Sequence, residues 1–82
     1  MIIKYFAWIK NITRIDEEKI DDSSVNDIKS LKKFLIKKYP KLKRHILEND
    51  ILRIAVNLEI VTSNCSINQK DEIAIFPPVS GG

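Results

Sequence analysis

The sequence predicts a small α+β domain in which one main amphipathic helix packs across one face of a small mixed sheet. Three observations carry that expectation. A single helical apolar stripe occupies the middle of the chain, short runs of strand character flank it, and no repeat or linker divides the 82 residues. A domain of this size buries only about 60% of the surface its unfolded chain exposes, which leaves one core and no room for a deep, enclosed cleft. A binding or carrier module without catalytic machinery of its own is expected before an enzyme.

The elements follow in order. Ile2-Ile3-Lys4-Tyr5-Phe6-Ala7-Trp8-Ile9 is rich in β-branched and aromatic residues and reads as a first strand buried on much of both faces. One helical turn is expected over residues 10–14, then a weak second strand over 17–21 in which only Ile20 clearly belongs to a core. Ser23-Ser24-Val25-Asn26-Asp27 marks a helix start, because a serine caps an orphan amide and Asp27 suits the positive end of the helix dipole. Val25, Ile28, Leu31, Leu35 and Tyr39 then share one narrow arc, with Phe34 and Ile36 at its margins and Lys29, Lys33 and Lys37 opposite. Pro40 ends this helix at or just before Tyr39. After a connection through Leu47, Ile51-Leu52-Arg53-Ile54-Ala55-Val56 alternates, with Leu52, Ile54 and Val56 inward and Arg53 outward. Asn57 is a turn residue that leads into a short strand over 58–61. A polar loop over 62–70 precedes a last strand over 71–77, with Ile73 and Ile75 inward and Glu72, Ala74 and Phe76 on the other face. The order β-β-α-β-β-β matches the β-grasp, or ubiquitin-like, architecture.

Charge is unevenly placed. Residues 29–45 hold eight Lys or Arg and no acid, whereas residues 16–27 hold six acids and only Lys19. Few aromatics interleave with the lysines and Arg44 is the segment's only arginine, so no nucleic-acid partner is expected. The segment reads as a solvated helix face or as a surface that meets an acidic partner. No apolar run approaches the ~20 residues of a membrane span and no signal-peptide pattern opens the chain, so a cytoplasmic protein with no membrane partner is expected. Cys65 is the only cysteine, which excludes an internal disulfide and a cysteine-cluster metal site; no metal is expected. Cys65 has no histidine or lysine placed by sequence to activate it, and His45 has no Cys or acid at ligand or triad spacing. Asp71 and Glu72, as strand neighbours, point to opposite faces and form no carboxylate pair.

If the first and last strands pair, Phe6 and Phe76 share the face that the helix leaves open, and Trp8 falls in the same phase. Such a face either receives a partner or is covered by a loop folding back. Phe6, Trp8 and Phe76 are therefore the candidate partner-binding residues. The sequence then runs Phe76-Pro77-Pro78-Val79-Ser80-Gly81-Gly82. Two prolines fix φ and remove two donors, so the sheet stops and the chain leaves extended. An isolated Gly-Gly is an ordinary chain end. Preceded by a strand and a diproline, in a chain with no other glycine, it reads as an arm for insertion into a narrow channel. The expected division is a domain over 1–76 and an extended tail over 77–82.

Lys70-Asp71-Glu72-Ile73-Ala74-Ile75-Phe76-Pro77-Pro78-Val79-Ser80-Gly81-Gly82 resembles the C-terminal signature of molybdopterin synthase small subunits, the MoaD family of β-grasp sulfur carriers. Tyr5-Phe6-Ala7-Trp8, the Ala55-Val56-Asn57 turn and the overall length extend the resemblance over nearly the whole chain. The Lys-rich helix and Gln69-Lys70, where many relatives place a glycine turn, depart from it. The resemblance implies that an ATP-dependent adenylating enzyme activates the Gly82 carboxylate, which is converted to a thiocarboxylate. No bound cofactor is implied. The tail, Pro77 to Gly82, then enters a large subunit, where the sulfur attacks a cyclic pyranopterin precursor in molybdenum or tungsten cofactor synthesis. Gly82 carries the sulfur, Gly81, Ser80, Val79, Pro78 and Pro77 supply reach, and catalytic residues lie on the large subunit, within a heterotetramer. A thiamine-pathway sulfur carrier and a ubiquitin-like protein modifier share the fold and the Gly-Gly end and stand as alternatives.

Overall fold

The computed structural model describes residues 1–78. Five strands, β1 (Ile2–Tyr5), β2 (Glu17–Lys19), β3 (Arg53–Val56), β4 (Glu59–Val61) and β5 (Glu72–Phe76), form one sheet in the order β2-β1-β5-β3-β4. β1 and β5 run parallel at its centre, and the other neighbours are antiparallel. A short helix α1 (Ile9–Thr13) follows β1, and the main helix α2 (Ile28–Lys38) crosses one face. This is the β-grasp arrangement expected from the sequence, with the core between α2 and the inward phase of the central strands.

Period-two alternation sets that phase. Ile3, Tyr5, Ile73 and Ile75 point toward α2 and are almost wholly buried, as are Leu31 and Leu35 on the facing helix stripe. Burial of each large aliphatic side chain is worth about 1.5–3 kcal/mol, so this layer supplies much of the stability. The expected stripe holds: Val25, Ile28, Leu31 and Leu35 are buried, Phe34, Ile36 and Tyr39 half-buried, and Tyr39 is the C-cap before Pro40.

Four local features differ from the sequence reading. The first strand stops at Tyr5, because Ala7 takes φ 56° and turns the chain into α1, where Ile9 is buried at the end of the core. The helix starts at Ile28 rather than at the serines. Asp22 accepts from Ser24 N at 2.9 Å and from Ser24 Oγ at 2.6 Å, a local turn that competes with helix. The cap is Asp27, whose carboxylate accepts from Ser30 N at 2.7 Å while Ser30 Oγ accepts from Asp27 N at 3.0 Å. Ser30, through its side chain and then its backbone N–H, and Asn64 hold the Asp27 carboxyl below the usual range. Replacing Asp27 by Ala removes this cap and is expected to lower the midpoint of urea unfolding.

The connection after α2 is also more ordered than a loop. A 3-10 turn (Pro40–Leu42) and a π-type turn (Arg44–Glu48) bury Leu42 and Ile46, while Leu47 stays exposed. The polar segment 62–70 is strapped to the start of α2. Cys65 O accepts from Ile28 N at 3.1 Å, Asn64 Oδ1 accepts from Lys29 N at 2.9 Å, and Ile67 is buried below.

Candidate docking face and tail root

The sheet face opposite α2 is read from register. β1 pairs β5 with Lys4 opposite Ala74, β5 pairs β3 with Ala74 opposite Ala55, and β3 pairs β4 with Ala55 opposite Ile60. Glu17 completes this row on β2. Small residues thus occupy the centre of the open face, and Ala55 is only 6% exposed although no helix covers it. Larger side chains ring it. Phe76 lies opposite Arg53 in the next row, and Phe6 continues that row because its N–H donates to Ile75 O at 3.1 Å, one step beyond the Tyr5–Ile75 pair. Phe6 is 45% exposed, Ile60 61% and Ile2 38%, so large apolar side chains on this face are open to solvent, with the Lys4–Glu72 ion pair standing between Ile2 and Phe6.

Its rim is charged and held in place. Lys4 Nζ lies 2.9 Å from Glu72 Oε1, and that hydrogen bond, followed by the Coulomb attraction, raises the lysine above its ordinary value. The Arg53 guanidinium donates to Asp50 O at 3.0 Å, which folds it along the strand end. An apolar centre with a polar rim is the anatomy of a protein-docking surface.

Of the three aromatic candidates, Phe6 and Phe76 meet on this face and Trp8 does not. Trp8 follows the Ala7 turn, outside the strand phase, and its half-buried ring packs on His45 with centroids 4.7 Å apart. The expected placement of Trp8 is corrected for that reason. Ile60 and the Ala55–Ala74 centre were not singled out by sequence. Their signal was present: two alanines stand in strands otherwise built from large residues, and Ile60 sits in a short strand with no inward requirement.

β5 ends at Phe76, beside Arg53 and Phe6. Pro77 is half-buried and Pro78 exposed, and neither has an N–H to continue a ladder. The root of the tail therefore emerges at the edge of the open face. Val79, Ser80, Gly81 and Gly82 lie outside the described residues.

Among the described residues, His45 Nδ1 is buried without a hydrogen-bond partner, and its ring packs on Trp8. Cys65 is half-buried in the strap over α2. The Asp71 carboxylate accepts from Asn68 N at 2.9 Å and from Asn57 Nδ2 at 2.9 Å, and these two bonds, in that order of weight, hold it below the usual range. Asn57, at φ 51°, in turn binds Glu72 through its side chain, locking the β3–β4 turn to β5. Among the described residues, no group of three or more His, Cys, Asp and Glu could hold a metal ion, and no helix is long and apolar enough to cross a membrane.

Comparison with known proteins places this geometry. Over 98% of its length the chain is 36% identical to a molybdopterin synthase sulfur carrier subunit of Dictyostelium discoideum, covering 93% of that protein. It superposes with a TM-score of 0.69 and 28% identity on a chain of the complex of subunits 1 and 2 of molybdopterin-converting factor from Helicobacter pylori 26695, covering 99% of this chain and 96% of that one. The small archaeal modifier protein 1 of Methanosarcina acetivorans matches with a TM-score of 0.79 and 25% identity, over 99% and 94% of the two chains. The ThiS family model matches residues 3–82, tail included, and the chain belongs to the ThiS family.

Proposed function

We propose that this protein is the sulfur-carrier subunit of a molybdopterin synthase. The observation that carries the reading is the family match, which runs from residue 3 through the open face and the Phe76-Pro77-Pro78 stem to Gly82, together with 36% identity over 98% of the chain to a molybdopterin synthase sulfur carrier subunit. The Gly82 carboxylate is an anion and a poor electrophile. An ATP-dependent enzyme joins it to AMP with loss of pyrophosphate, and a sulfur donor then displaces AMP to leave a thiocarboxylate. A large subunit docks on the Phe6–Phe76 face, takes the tail from Pro77 to Gly82 into its own site, and brings the sulfur to the pyranopterin precursor. Docking makes the transfer effectively unimolecular, the usual gain from positioning. The solved two-subunit relative supports a large-subunit partner.

Phe76 is the anchor nearest the tail root. Phe76→Ala is expected to weaken large-subunit binding by about 2 kcal/mol, roughly 30-fold in Kd by calorimetry, with sulfur loading of Gly82 unchanged. Cys65→Ser should leave sulfur transfer intact, since Cys65 lies in the strap over α2 and not on the docking face.

A second reading, a protein modifier joined through Gly82 to lysines of other proteins, is favoured by the likeness to the archaeal modifier. Intact-mass analysis of native protein separates the two. Replacement of one carboxylate oxygen by sulfur supports the carrier; isopeptide-linked remnants on other proteins without that replacement support the modifier and overturn the first reading.

A further inference from the structure

The two edges of the sheet are built differently. At one edge β2 reads Glu17-Glu18-Lys19, a charged strand of the kind that discourages pairing. At the other, β4 reads Glu59-Ile60-Val61 and carries neither lysine nor proline. A two-residue turn, Asn57-Leu58, with both φ values positive, closes the β3–β4 hairpin. In that geometry Val56 and Glu59 exchange hydrogen bonds, as do Ile54 and Val61, so the N–H and C=O of Ile60 point away from β3. Among the described residues, no strand pairs with that outer edge. Ile60 and Leu58, 61% and 91% exposed, stand beside it.

A groove of about 560 Å³ lies between this edge and the start of α2. Its floor includes Ile28 and Val61, and its walls bring Lys29, Lys32 and Arg53 together against a single acid, Asp50. The first amides of α2 are already satisfied: Ile28 N by Cys65 O, Lys29 N by Asn64 Oδ1, and Ser30 N by Asp27. The helix end therefore offers nothing to a free anion, and the unused groups are the lysine side chains and the strand edge.

We propose that β4 and this groove receive an extended segment of a partner protein in which acidic and apolar residues alternate. A strand added to β4 turns its side chains alternately to the two sheet faces. One set enters the groove toward Lys29 and Lys32, where acids are favoured; the other lies beside Ile60, where apolar residues are favoured. This surface meets the open face at Ile60 and Arg53 and extends from there toward α2, away from Phe6 and Phe76. It gives the lysine-rich start of α2 a role that the tail chemistry does not require.

The test uses the full chain and synthetic peptides. A labelled peptide of alternating valine and glutamate is titrated with polarisation and amide NMR readouts. Binding that shifts the amides of Ile60, Thr62, Lys29 and Lys32 is expected, and it should weaken with salt. The double variant Lys29→Glu, Lys32→Glu should bind it roughly tenfold more weakly. A valine–lysine peptide should not bind. The valine–glutamate peptide methylated on alternate backbone nitrogens keeps its charge but cannot pair with an edge, and it should lose binding. The proposal is overturned if the methylated or the lysine peptide binds equally well, if the shifts map to β2 or to Phe6 and Phe76, or if no binding occurs.

Discussion

Deletion of Gly82 is expected to abolish sulfur transfer while leaving the fold and large-subunit docking intact. Gly82 has no side chain to bury, and the core of the described residues lies within 1–78, so urea unfolding should move by no more than about 0.5 kcal/mol. The proposed chemistry, by contrast, depends on where the last carboxyl carbon sits. Removing one residue draws the terminus back by up to ~3.5 Å, and a misplacement of even ~1 Å can cost roughly 100-fold. A loss of roughly 1,000-fold or more in single-turnover product formation is expected. Retained activity in the shortened chain would contradict the proposal that the tail delivers the reactive atom.

The second large effect belongs to Glu18, which sequence reasoning left in a weak strand. Its side chain is only 9% exposed, and its Oε2 accepts from Tyr5 Oη at 2.6 Å and also from the Tyr39 hydroxyl, while Oε1 pairs with Lys38. The tyrosine rings meet edge-on with centroids 5.8 Å apart. One carboxylate thereby joins β1, β2 and the end of α2. Glu18→Ala strands a buried Tyr5 hydroxyl and is expected to lower stability by roughly 3 kcal/mol, a large share of the 5–15 kcal/mol typical of a domain.

The same network sets a pH signature. Burial pushes the Glu18 carboxyl up, but the bonds from Lys38, Tyr39 and Tyr5 together outweigh it and hold the group below its ordinary 4.5. Its contribution is complete above pH 4.5 and is lost as pH falls below that value through the folded pKa. Burial first, then the bond to Glu18, pushes Tyr39 up to about 12 from 10.0, and Tyr5 shifts in the same direction. Here the folded state holds the proton more tightly, so stability declines as pH rises from 10.0 toward 12. Glu18→Gln should flatten the acid limb in urea titrations; an unchanged acid limb would contradict the assignment.

These particulars show what could be read from residues alone. The α2 stripe was legible because Val25, Ile28, Leu31 and Leu35 recur at helical spacing, and the β5 phase because Ile73 and Ile75 alternate with Glu72 and Ala74. The cap was not. Ser23, Ser24, Asp27 and Ser30 are all good capping residues, and only the Asp22 turn and the strap at Asn64 and Cys65 settle the choice. The end of β1 was hidden for a related reason, since Trp8, Ile9 and Ile12 satisfy a helical spacing as well as a strand composition. Glu18 was invisible because its burial depends on Tyr5, Lys38 and Tyr39, which lie 13, 20 and 21 residues away in sequence. On the open face, Phe6 and Phe76 followed from strand phase, whereas joining Ala55 and Ile60 to them took the register across four strands in addition to their signal in sequence.

The most direct measurement loads the C-terminus with isotope-labelled sulfur as a thiocarboxylate and mixes the protein with the large subunit and the pyranopterin precursor in a single turnover. The account predicts that the label leaves this chain as oxygen returns to Gly82 and appears in the dithiolene of the product. Label that stays on the chain while unlabelled dithiolene accumulates would contradict it.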